Sequence, residues 1–250
     1  MSEVFTKGRG WQGAVMKILG GDDFTFTLTG KEAVTDHYLR LRFHGGGLLT
    51  GSAIHPTMWV RLWFADGGKL HQRGYTLVDP DPATDTFDTE FAIHDGTAAR
   101  WAQDAHVGDA IGATLMGSKF AIPDPAPAGW LVAGDTASLP AINSLLDSLG
   151  DSGAGATIWF EYQHESDRLL PLRARAQDTV HWLPRERDGA ALVDAVRSAA
   201  FDAADHFGWV ALDSTSTRAV AGLFKGEYGI PKKSVKSQAC LVQPGVIAAG

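Results

Sequence analysis

The sequence predicts a two-domain chain in which an antiparallel β-barrel is followed by an α/β domain with a mainly parallel sheet. Short strands with period-two alternation fill the first half, and strands alternate with helices in the second. A segment with three prolines in five residues, 123–127, separates the halves, and neither a helix interior nor a central strand tolerates it. We therefore predict domains over residues 1–124 and 128–250.

Alternation of apolar and polar residues predicts the strands of the first domain. The clearest examples are 38–43, 59–64 and 86–93, which are also rich in aromatic residues. Turns rich in glycine and aspartate separate them, as in antiparallel barrels. A short helix is expected between Ala98 and Ala105.

Strand and helix patterns alternate in the second domain. Buried strands are predicted at 130–133, 157–162, 179–183 and 209–212. Helices are predicted at 138–150, about 188–200 and 217–227, the first with Ser138 as its N-cap. Because open parallel sheets bind ligands beyond the carboxyl ends of their strands, we expect ligand contacts at that edge.

Composition excludes several kinds of chemistry. Cys240 is the single cysteine of 250 residues, so the chain can form neither an internal disulfide nor a cysteine-based zinc or iron–sulfur site. A redox function would therefore need an organic cofactor. The 22 basic and 29 acidic residues give a net charge of −7, which disfavours nucleic-acid binding. The histidines are scattered, so we predict no metal site in the protein.

The sequence shows no signal for export or membrane insertion. The N-terminal residues lack a basic segment followed by an apolar core, and no apolar run approaches the roughly 20 residues that cross a bilayer. A lone cysteine is typical of a reducing compartment. We therefore expect a cytoplasmic monomer, or a cytoplasmic domain tethered to something absent from this chain.

Residues 73–76, Arg-Gly-Tyr-Thr, form the first candidate binding motif. The Arg73 guanidinium suits a phosphate, the Tyr75 ring can stack on a flat ring system, and the Thr76 hydroxyl can hydrogen-bond a ring heteroatom. On a regular strand Arg73 and Tyr75 share one face and Thr76 lies on the other. An ordinary exposed strand whose tyrosine caps the core would explain the same residues.

Two further motifs lie at junctions between a strand and a helix. A strand ending at His94 and Gly96 precedes the helix that holds Trp101, and a helix N-terminus offers free N–H groups to a diphosphate. The stretch 134–142 joins the first strand and first helix of the second domain. A buried junction and a well-capped helix start are the alternatives that need no ligand.

The order and spacing of these motifs resemble those of the siderophore-interacting protein family. Arg-x-Tyr-Thr, His-x-Gly, Ala-x-x-Trp-Ala and Gly-Asp-x-Ala-Ser-Leu-Pro-Ala follow one another between about Gly13 and Gln238. The family comprises flavin-containing ferric-siderophore reductases of the ferredoxin–NADP reductase superfamily. Residues 115–118 and 163–167 are similar to the branch that is fused to mycobacterial siderophore importers.

The resemblance implies an N-terminal FAD-binding barrel and a ferredoxin-reductase-like α/β domain of the NAD(P)-binding type. Tyr75 would stack on the isoalloxazine, Thr76 would hydrogen-bond the flavin ring or ribityl chain, and Arg73 would contact the phosphates. The other implied FAD contacts lie along the diphosphate, at the adenine and on the second domain: Ile93, His94, Ala99, Arg100, Trp101, Thr136, Ala137 and Ser138.

The chain departs from the family pattern at three places. Thr136 replaces the usual acidic residue, and 96–100 replaces a Gly-Pro-Ala-Ser segment. The stretch from Cys240 to Gly245 replaces the usual terminal Tyr-Trp-x-x-Gly. The last departure concerns how a nicotinamide or substrate is received over the flavin.

The implied function is reduction of a ferric siderophore, which releases iron as Fe(II) in siderophore-mediated iron uptake. NADH, NADPH or another carrier would donate the electrons, and a siderophore importer at the membrane is an implied partner. No catalytic residue is assigned, because the protein positions and tunes the flavin. The residues assigned to an anionic siderophore, which also suit a plain solvated face, are Lys225, Lys232, Lys233 and Lys236.

Two other functions stay open at this point. One is an NAD(P)H:flavin reductase that releases reduced flavin. The other is a ferric-siderophore-binding protein without enzymatic activity, which the altered C-terminus favours.

Overall fold

The computed structural model describes residues 21–151 and 153–238. They form two compact units, one of residues 21–126, 139–151, 153 and 164–176 and one of residues 127–138, 154–163 and 177–238. Each unit contains one β-sheet. Cys240 and the C-terminal departure from the family pattern lie outside the described residues.

The first unit contains a seven-stranded antiparallel sheet, which confirms the predicted class of this half. In chain order its strands are β1 (Asp22–Thr35), β2 (Tyr38–His44), β3 (Trp59–Asp66), β4 (Lys69–Thr76), β5 (Val78–Asp81), β6 (Thr86–Ala92) and β7 (Ala110–Leu115). Across the sheet the order is β4-β3-β7-β1-β2-β6-β5, so β4 and β5 are edge strands. The strands predicted at 38–43, 59–64 and 86–93 correspond to β2, β3 and β6.

The inward faces of these strands form an aromatic core. On β3 the alternate residues Val60, Leu62 and Phe64 are at most 1% exposed, as period-two alternation predicts. The short helix α1 (Leu48–Gly51) and the helix α2 (Thr97–Asp104), which was predicted, pack against the same core. Burial of this apolar surface is the main term that stabilises the unit.

The helix α3 (Leu139–Leu149) and residues 164–176 belong to the first unit, although they follow the proline-rich segment in sequence. Ser144 on α3 accepts a hydrogen bond from the Thr57 N–H at 2.9 Å. Arg173 donates to both carboxylate oxygens of Asp79, each at 2.8 Å. These bonds hold α3 and residue 173 against the strands of the antiparallel sheet, while the domain boundary at the prolines stays a prediction.

The second unit is a parallel α/β layer, which confirms the predicted class of this half. Its strands are β8 (Trp130–Asp135), β9 (Ala156–Tyr162), β10 (Thr179–Pro184), β11 (Phe207–Ala211) and β12 (Val235–Ser237), in the order β10-β9-β8-β11-β12. All their pairings are parallel. The helices α4 (Ala190–Ser198) and α5 (Ser214–Gly226) bury apolar faces in one core with β8, β9 and β11.

The predicted N-cap role of Ser138 is not seen in the structure. Its hydroxyl accepts from the Asp135 N–H at 2.8 Å and donates to the Asp135 carbonyl at 3.0 Å. The Ser138 N–H in turn donates to the Asp135 carboxylate at 3.0 Å. The side chain therefore closes a turn at the end of β8 instead of capping α3.

No helix among residues 21–151 and 153–238 is long and apolar enough to cross a bilayer. Within the same ranges, no three side chains of His, Cys, Asp or Glu are grouped so that they could hold a metal ion.

Candidate functional site

The candidate motif at residues 73–76 lies on the edge strand β4. Tyr75 lies opposite Val60 and Thr76 opposite Trp59, with no break in register along the strand. Because opposite residues of an antiparallel pair share a face, Arg73 and Tyr75 lie on the core face and Thr76 on the other, as expected for a regular strand. An edge strand also has backbone groups without a strand partner on its free side, so β4 presents both backbone and side chains to a ligand.

Aromatic rings surround Tyr75. Its ring centroid lies 4.3 Å from that of Phe91, and the Phe64 ring lies 5.9 Å away. Trp101 on α2 packs edge-on against Phe64 at 5.6 Å. Burial raises the pKa of the Tyr75 phenol, with a smaller opposing effect of Arg73, so the phenol stays neutral at physiological pH.

Two arginines bring positive charge to His94. Arg73 donates one hydrogen bond, to the Gln72 carbonyl at 2.8 Å, and forms no ion pair with any described residue. Arg100 on α2 donates to the Asp95 carbonyl at 2.7 Å. The pKa of His94 is lowered, mainly by partial burial of its ring. The charge of Asp95 opposes this shift, and the charges of Arg73 and Arg100 make smaller contributions in the same sense as burial. Two cations from β4 and α2 thus act on one imidazole beyond β6.

Gly96 allows a close approach between the His94 ring and the start of α2. A Cβ atom on Gly96 would lie 2.2 Å from His94 Cε1, so a larger residue cannot fit without moving the ring. The Gly96 N–H donates to the His94 carbonyl at 2.8 Å, and α2 begins at the next residue. The free N–H groups of the first helical turn add a positive partial charge to the cations nearby.

The structure brings most of the predicted FAD residues into the first unit. Ile93 is half-buried, and its N–H donates to the His37 carbonyl at 2.8 Å. Ala99 is 1% exposed, whereas Arg100 is exposed and Trp101 is half-buried, so these two are the accessible side chains among the predicted FAD residues of α2. The predicted residues found in this unit are Arg73, Tyr75, Thr76, Ile93, His94, Ala99, Arg100 and Trp101.

The remaining predicted residues belong to the second unit. Thr136 is half-buried, Ala137 is exposed and Ser138 is 2% exposed. Lys225 is in the last turn of α5, Lys232 and Lys233 begin the 3₁₀ turn Lys232–Ser234, and Lys236 is on β12. The first three of these lysines are exposed and the fourth is half-buried. Their roles stay predictions.

Charged side chains meet at the carboxyl ends of the strands of the second unit. Asp135 ends β8 and is opposite Glu161 on β9, while Arg185 and Asp213 follow β10 and β11 closely. Arg185 forms a hydrogen-bonded ion pair with Glu161 and lies 3.5 Å from Asp213. The other carboxylate oxygen of Glu161 is buried and has no hydrogen-bond partner.

The pKa values of the acids in this cluster are shifted in opposite directions. Burial raises the pKa of Asp135 to about 6, against the effect of hydrogen bonds from Ser138. Burial also raises the pKa of Glu161. Burial acts in the same sense on Asp213, but hydrogen bonds from Ser216 and Thr215 outweigh it and hold that pKa below its usual value. The same edge thus holds two acids that are destabilised as anions, Asp135 and Glu161, and one that is stabilised, Asp213.

Sequence reasoning missed Arg61 on β3. Its guanidinium lies over the Trp59 ring, 4.7 Å from the centroid, and its Nε is buried without a hydrogen-bond partner. On the same face, Gln72 Oε1 is also buried without a partner. An arginine between Trp59 and Trp63 on an alternating strand is the sequence signal, but the pairing that places Gln72 beside it depends on strand register.

The residues of the first unit fit a flavin dinucleotide. Arg73 retains its charge because no described carboxylate neutralises it, and a diphosphate needs such a cation together with free N–H groups. Tyr75 and Trp101 are half-buried aromatic residues, and rings of this kind can stack on flat ring systems. Charge and ring faces are therefore present at one edge.

Two family models match the chain. The model described as the siderophore-interacting FAD-binding domain matches residues 18–118, and the model described as siderophore-interacting protein matches residues 127–239. Over 237 residues the chain is 35% identical to the mycobactin import ATP-binding/permease protein IrtA of Mycolicibacterium smegmatis. That match covers 92% of this chain but 27% of the importer, so the chain spans a minor part of that relative.

Solved structures show the same fold. The siderophore-interacting protein from Acinetobacter baumannii matches with a TM-score of 0.74 at 19% identity, covering 87% of this chain and 88% of that one. The ferredoxin reductase in carbazole 1,9a-dioxygenase matches with a TM-score of 0.68 at 14% identity, covering 86% and 68%. The ferredoxin-reductase-like fold is thus confirmed, and the family models support a flavin-binding protein in siderophore iron handling. Sequence and structure agree with the resemblance: the chain belongs to the siderophore-interacting protein family.

Proposed function

We propose that the protein is an FAD-dependent ferric-siderophore reductase that releases iron as Fe(II) in siderophore-mediated iron uptake. The observation that supports this most is that the charges of Arg73 and Arg100 both act on the His94 imidazole, while Tyr75 on the same strand as Arg73 forms a ring pair with Phe91. A diphosphate linked to a flat heterocycle matches this combination of positive charge and aromatic rings, in which Arg73 has no carboxylate partner among the described residues and Arg100 lies 4.0 Å from Asp66.

The proposed binding roles follow the placement of each residue. Arg73 and the first turn of α2 hold the diphosphate, and Tyr75 stacks on the isoalloxazine as a neutral phenol. Because its pKa is lowered, His94 is neutral at physiological pH and donates or accepts one hydrogen bond without adding charge. Arg100 and Trp101 lie at the adenine end. Ile93 and Ala99 contribute backbone, and Thr136, Ala137 and Ser138 stay predicted contacts from the second unit.

The proposed reaction is electron transfer without acid–base catalysis. When bound, FAD would supply the conversion between two-electron and one-electron transfer. Siderophores hold Fe(III) with hard oxygen donors, and reduction to Fe(II) weakens that coordination so that the ion leaves. One NADH or NADPH gives up two electrons and becomes NAD⁺ or NADP⁺ with release of a proton, so two Fe(III) ions are reduced for each one consumed.

Arg61 is the residue that we propose for contact with the siderophore. Arg61 shares a face of β3 with Trp59, and Trp59 lies opposite Thr76 on β4. Arg61 is therefore on the same face of the sheet as Thr76 and on the opposite face from Tyr75. Its buried Nε lacks an acceptor, and an oxygen anion of a ferric siderophore would supply one. Lys225, Lys232, Lys233 and Lys236 remain proposed as a longer-range attraction on a protein of net charge −7.

The donor, compartment and partners are proposed from the family. NADH or NADPH is the proposed donor, with an external electron carrier as the alternative. The curated relative is a mycobactin importer, and we propose that this chain works beside a siderophore importer, as a cytoplasmic monomer or as a tethered domain.

An anaerobic iron-release assay tests the proposal. Purified protein with FAD is mixed with a ferric siderophore, a colorimetric Fe(II) chelator, and NADH or NADPH. We expect Fe(II) to appear at about two per nucleotide oxidised, and Arg61→Met to raise the KM for the siderophore several-fold. Lys69→Met is the matched control, because it also removes one cation. Lys69 is the first residue of the edge strand β4 and lies opposite Asp66 on β3.

Two outcomes would favour the other functions. Nucleotide oxidation that continues without iron, with loss of FAD from the protein on gel filtration, would identify an NAD(P)H:flavin reductase. Tight binding of the ferric siderophore with neither flavin nor nucleotide turnover would identify a non-enzymatic binding protein.

A further inference from the structure

The segment that follows β4 has an unfavourable backbone conformation at Asp79. Asp79 has a φ of +46°, although it is not a glycine and precedes Pro80, which steers its predecessor toward extended geometry. Between Val78 and Asp81 strand β5 contains one residue more than its partner, so Asp79 lies in a β-bulge. Bulges of this kind re-aim the residues beside them and occur next to active sites.

Arg173 holds this bulge from outside the strand. Its two Nη atoms bind the two carboxylate oxygens of Asp79 at 2.8 Å each, and Nη1 also binds Asp147 at 2.6 Å. Asn143 fixes the backbone of the same segment, because its side chain donates to the Pro171 carbonyl at 2.9 Å and accepts from the Arg173 N–H at 2.8 Å. The bidentate pair therefore comes from a backbone that is itself fixed to α3.

A second strained residue is tied to the same helix. Thr57 has a φ of +56°, and its N–H donates to Ser144 on α3 at 2.9 Å. The next residue, Met58, accepts from the Leu77 N–H at 2.9 Å. Leu77 directly follows Thr76, the last residue of β4. The helix α3 therefore restrains the chain next to the end of β4 through Thr57 and Met58, and beyond it through Arg173 and Asp79.

An open pocket beside the bulge leaves one side of the segment unpacked. It has a volume of about 360 Å³, and its lining includes Leu77, Asp79, Pro80 and Arg173. A close-packed interior would hold the segment by itself, whereas a strained turn next to a cavity needs a specific restraint. Arg173 supplies that restraint.

We propose that Arg173 is a positioning residue for the flavin site. It keeps the turn 77–80 in its bulged form, and so keeps Tyr75 and Thr76 in the place where they meet the flavin ring. This inference rests on the proposed function, because it assigns a role to Arg173 only through Tyr75 and Thr76.

The test compares Arg173→Met and Arg173→Lys with wild type. We expect FAD to bind about tenfold more weakly to Arg173→Met, and the absorption maxima and midpoint potential of the bound flavin to shift, because the stacking ring has moved. Arg173→Lys keeps the charge but not the bidentate geometry and should lie between the two. Arg187→Met, which removes an exposed ion pair with Asp194 at 2.8 Å in the second unit, is the matched control and should leave the flavin unchanged.

The outcomes separate the inference from the proposed function. If wild type binds FAD and Arg173→Met shows the same affinity, spectrum and potential, the inference is overturned, even if that variant melts earlier. If wild type binds no FAD, the proposed function fails instead. Amide hydrogen exchange at Leu77 then still decides on the restraint: faster exchange in Arg173→Met supports it, and unchanged exchange overturns it.

Discussion

Arg73 on the edge strand β4 of the first unit and Arg185 directly after β10 of the second differ in how their charges are used. Arg73 binds one backbone carbonyl and no carboxylate among the described residues, whereas Arg185 is bound by Glu161 and lies 3.5 Å from Asp213. A cation neutralised by its own protein has little left for an external anion. The first edge is therefore organised to receive an anion, and the second is organised to hold its own charges together.

The buried acids of the second edge give the largest expected effect. Asp135 has a pKa of about 6 in the folded protein against 3.8 as its ordinary value, so its ionisation opposes folding as the pH rises through this interval. At about 1.4 kcal/mol for each pH unit, Asp135→Asn should raise the free energy of unfolding at pH 7.5 by up to about 3 kcal/mol. The gain should shrink toward pH 4 and vanish only below about pH 3, where Asp135 is protonated in both states.

Chemical denaturation between pH 4 and pH 8 measures this. Asp213→Asn is the control, because the pKa of Asp213 is lowered and its anion favours folding. That variant should not gain stability at pH 7.5, and identical pH profiles for Asp135→Asn and wild type would remove the contrast between the two acids.

Loss of Arg73, which has no carboxylate partner among the described residues, gives the next largest effect, on FAD affinity. Arg73→Met should weaken FAD binding by about ten- to a hundredfold, because charge-assisted hydrogen bonds contribute about 1.5–3 kcal/mol. The stability of the protein without FAD should hardly change, since Arg73 has no ion pair to lose. Fluorescence titration measures the FAD affinity. The control is Arg42→Met, which removes an arginine that is hydrogen-bonded to both carboxylate oxygens of Asp88. This variant should lower the stability of the protein and leave its FAD affinity unchanged. An unchanged FAD affinity in Arg73→Met would contradict the comparison.

The close approach of His94 to Gly96 sharpens the geometry of this edge. Gly96→Ala would place a methyl group 2.2 Å from His94 Cε1, so the ring must move at a cost of about 1–2 kcal/mol of stability. FAD should bind several-fold more weakly. The double variant Gly96→Ala with His94→Ala removes the clash and should recover the stability but not the affinity. A single variant as stable as wild type would show that the ring moves freely.

The exposed lysines of the second unit give the smallest effect. Reversing the charges of Lys232 and Lys233 to Glu should raise the KM for an anionic ferric siderophore about threefold at low ionic strength, without a change in kcat. The difference should disappear near 0.5 M salt, because exposed charges are screened. A KM that does not change at low salt would leave these residues as a solvated face.

Local patterns predicted most elements of the fold. The alternation of β3 and the continuous apolar run of β8 depend only on neighbouring residues, so both were predicted where they occur. The family motif predicted Arg73, Tyr75 and His94 as one binding group, and this grouping stays a prediction, although the charge of Arg73 acts on both of the other side chains.

Contacts that depend on distant segments were out of reach. Arg173 and Asp79 are 94 residues apart, and nothing local to either indicates the bidentate pair. Arg61 can be recognised as a candidate contact only from the register of β3 and β4, which places Arg61 and Gln72 on the same face of the sheet. Ser138 has the residue type of an N-cap, but its hydroxyl bonds back to Asp135, a choice set by the buried end of β8.

The most direct test of the central claim is the visible spectrum of the purified protein with FAD, recorded anaerobically. We predict one tightly held FAD per chain, whose absorbance is lost on addition of NADH or NADPH and returns when a ferric siderophore is added. A colourless protein that cannot be reconstituted with FAD would contradict the account.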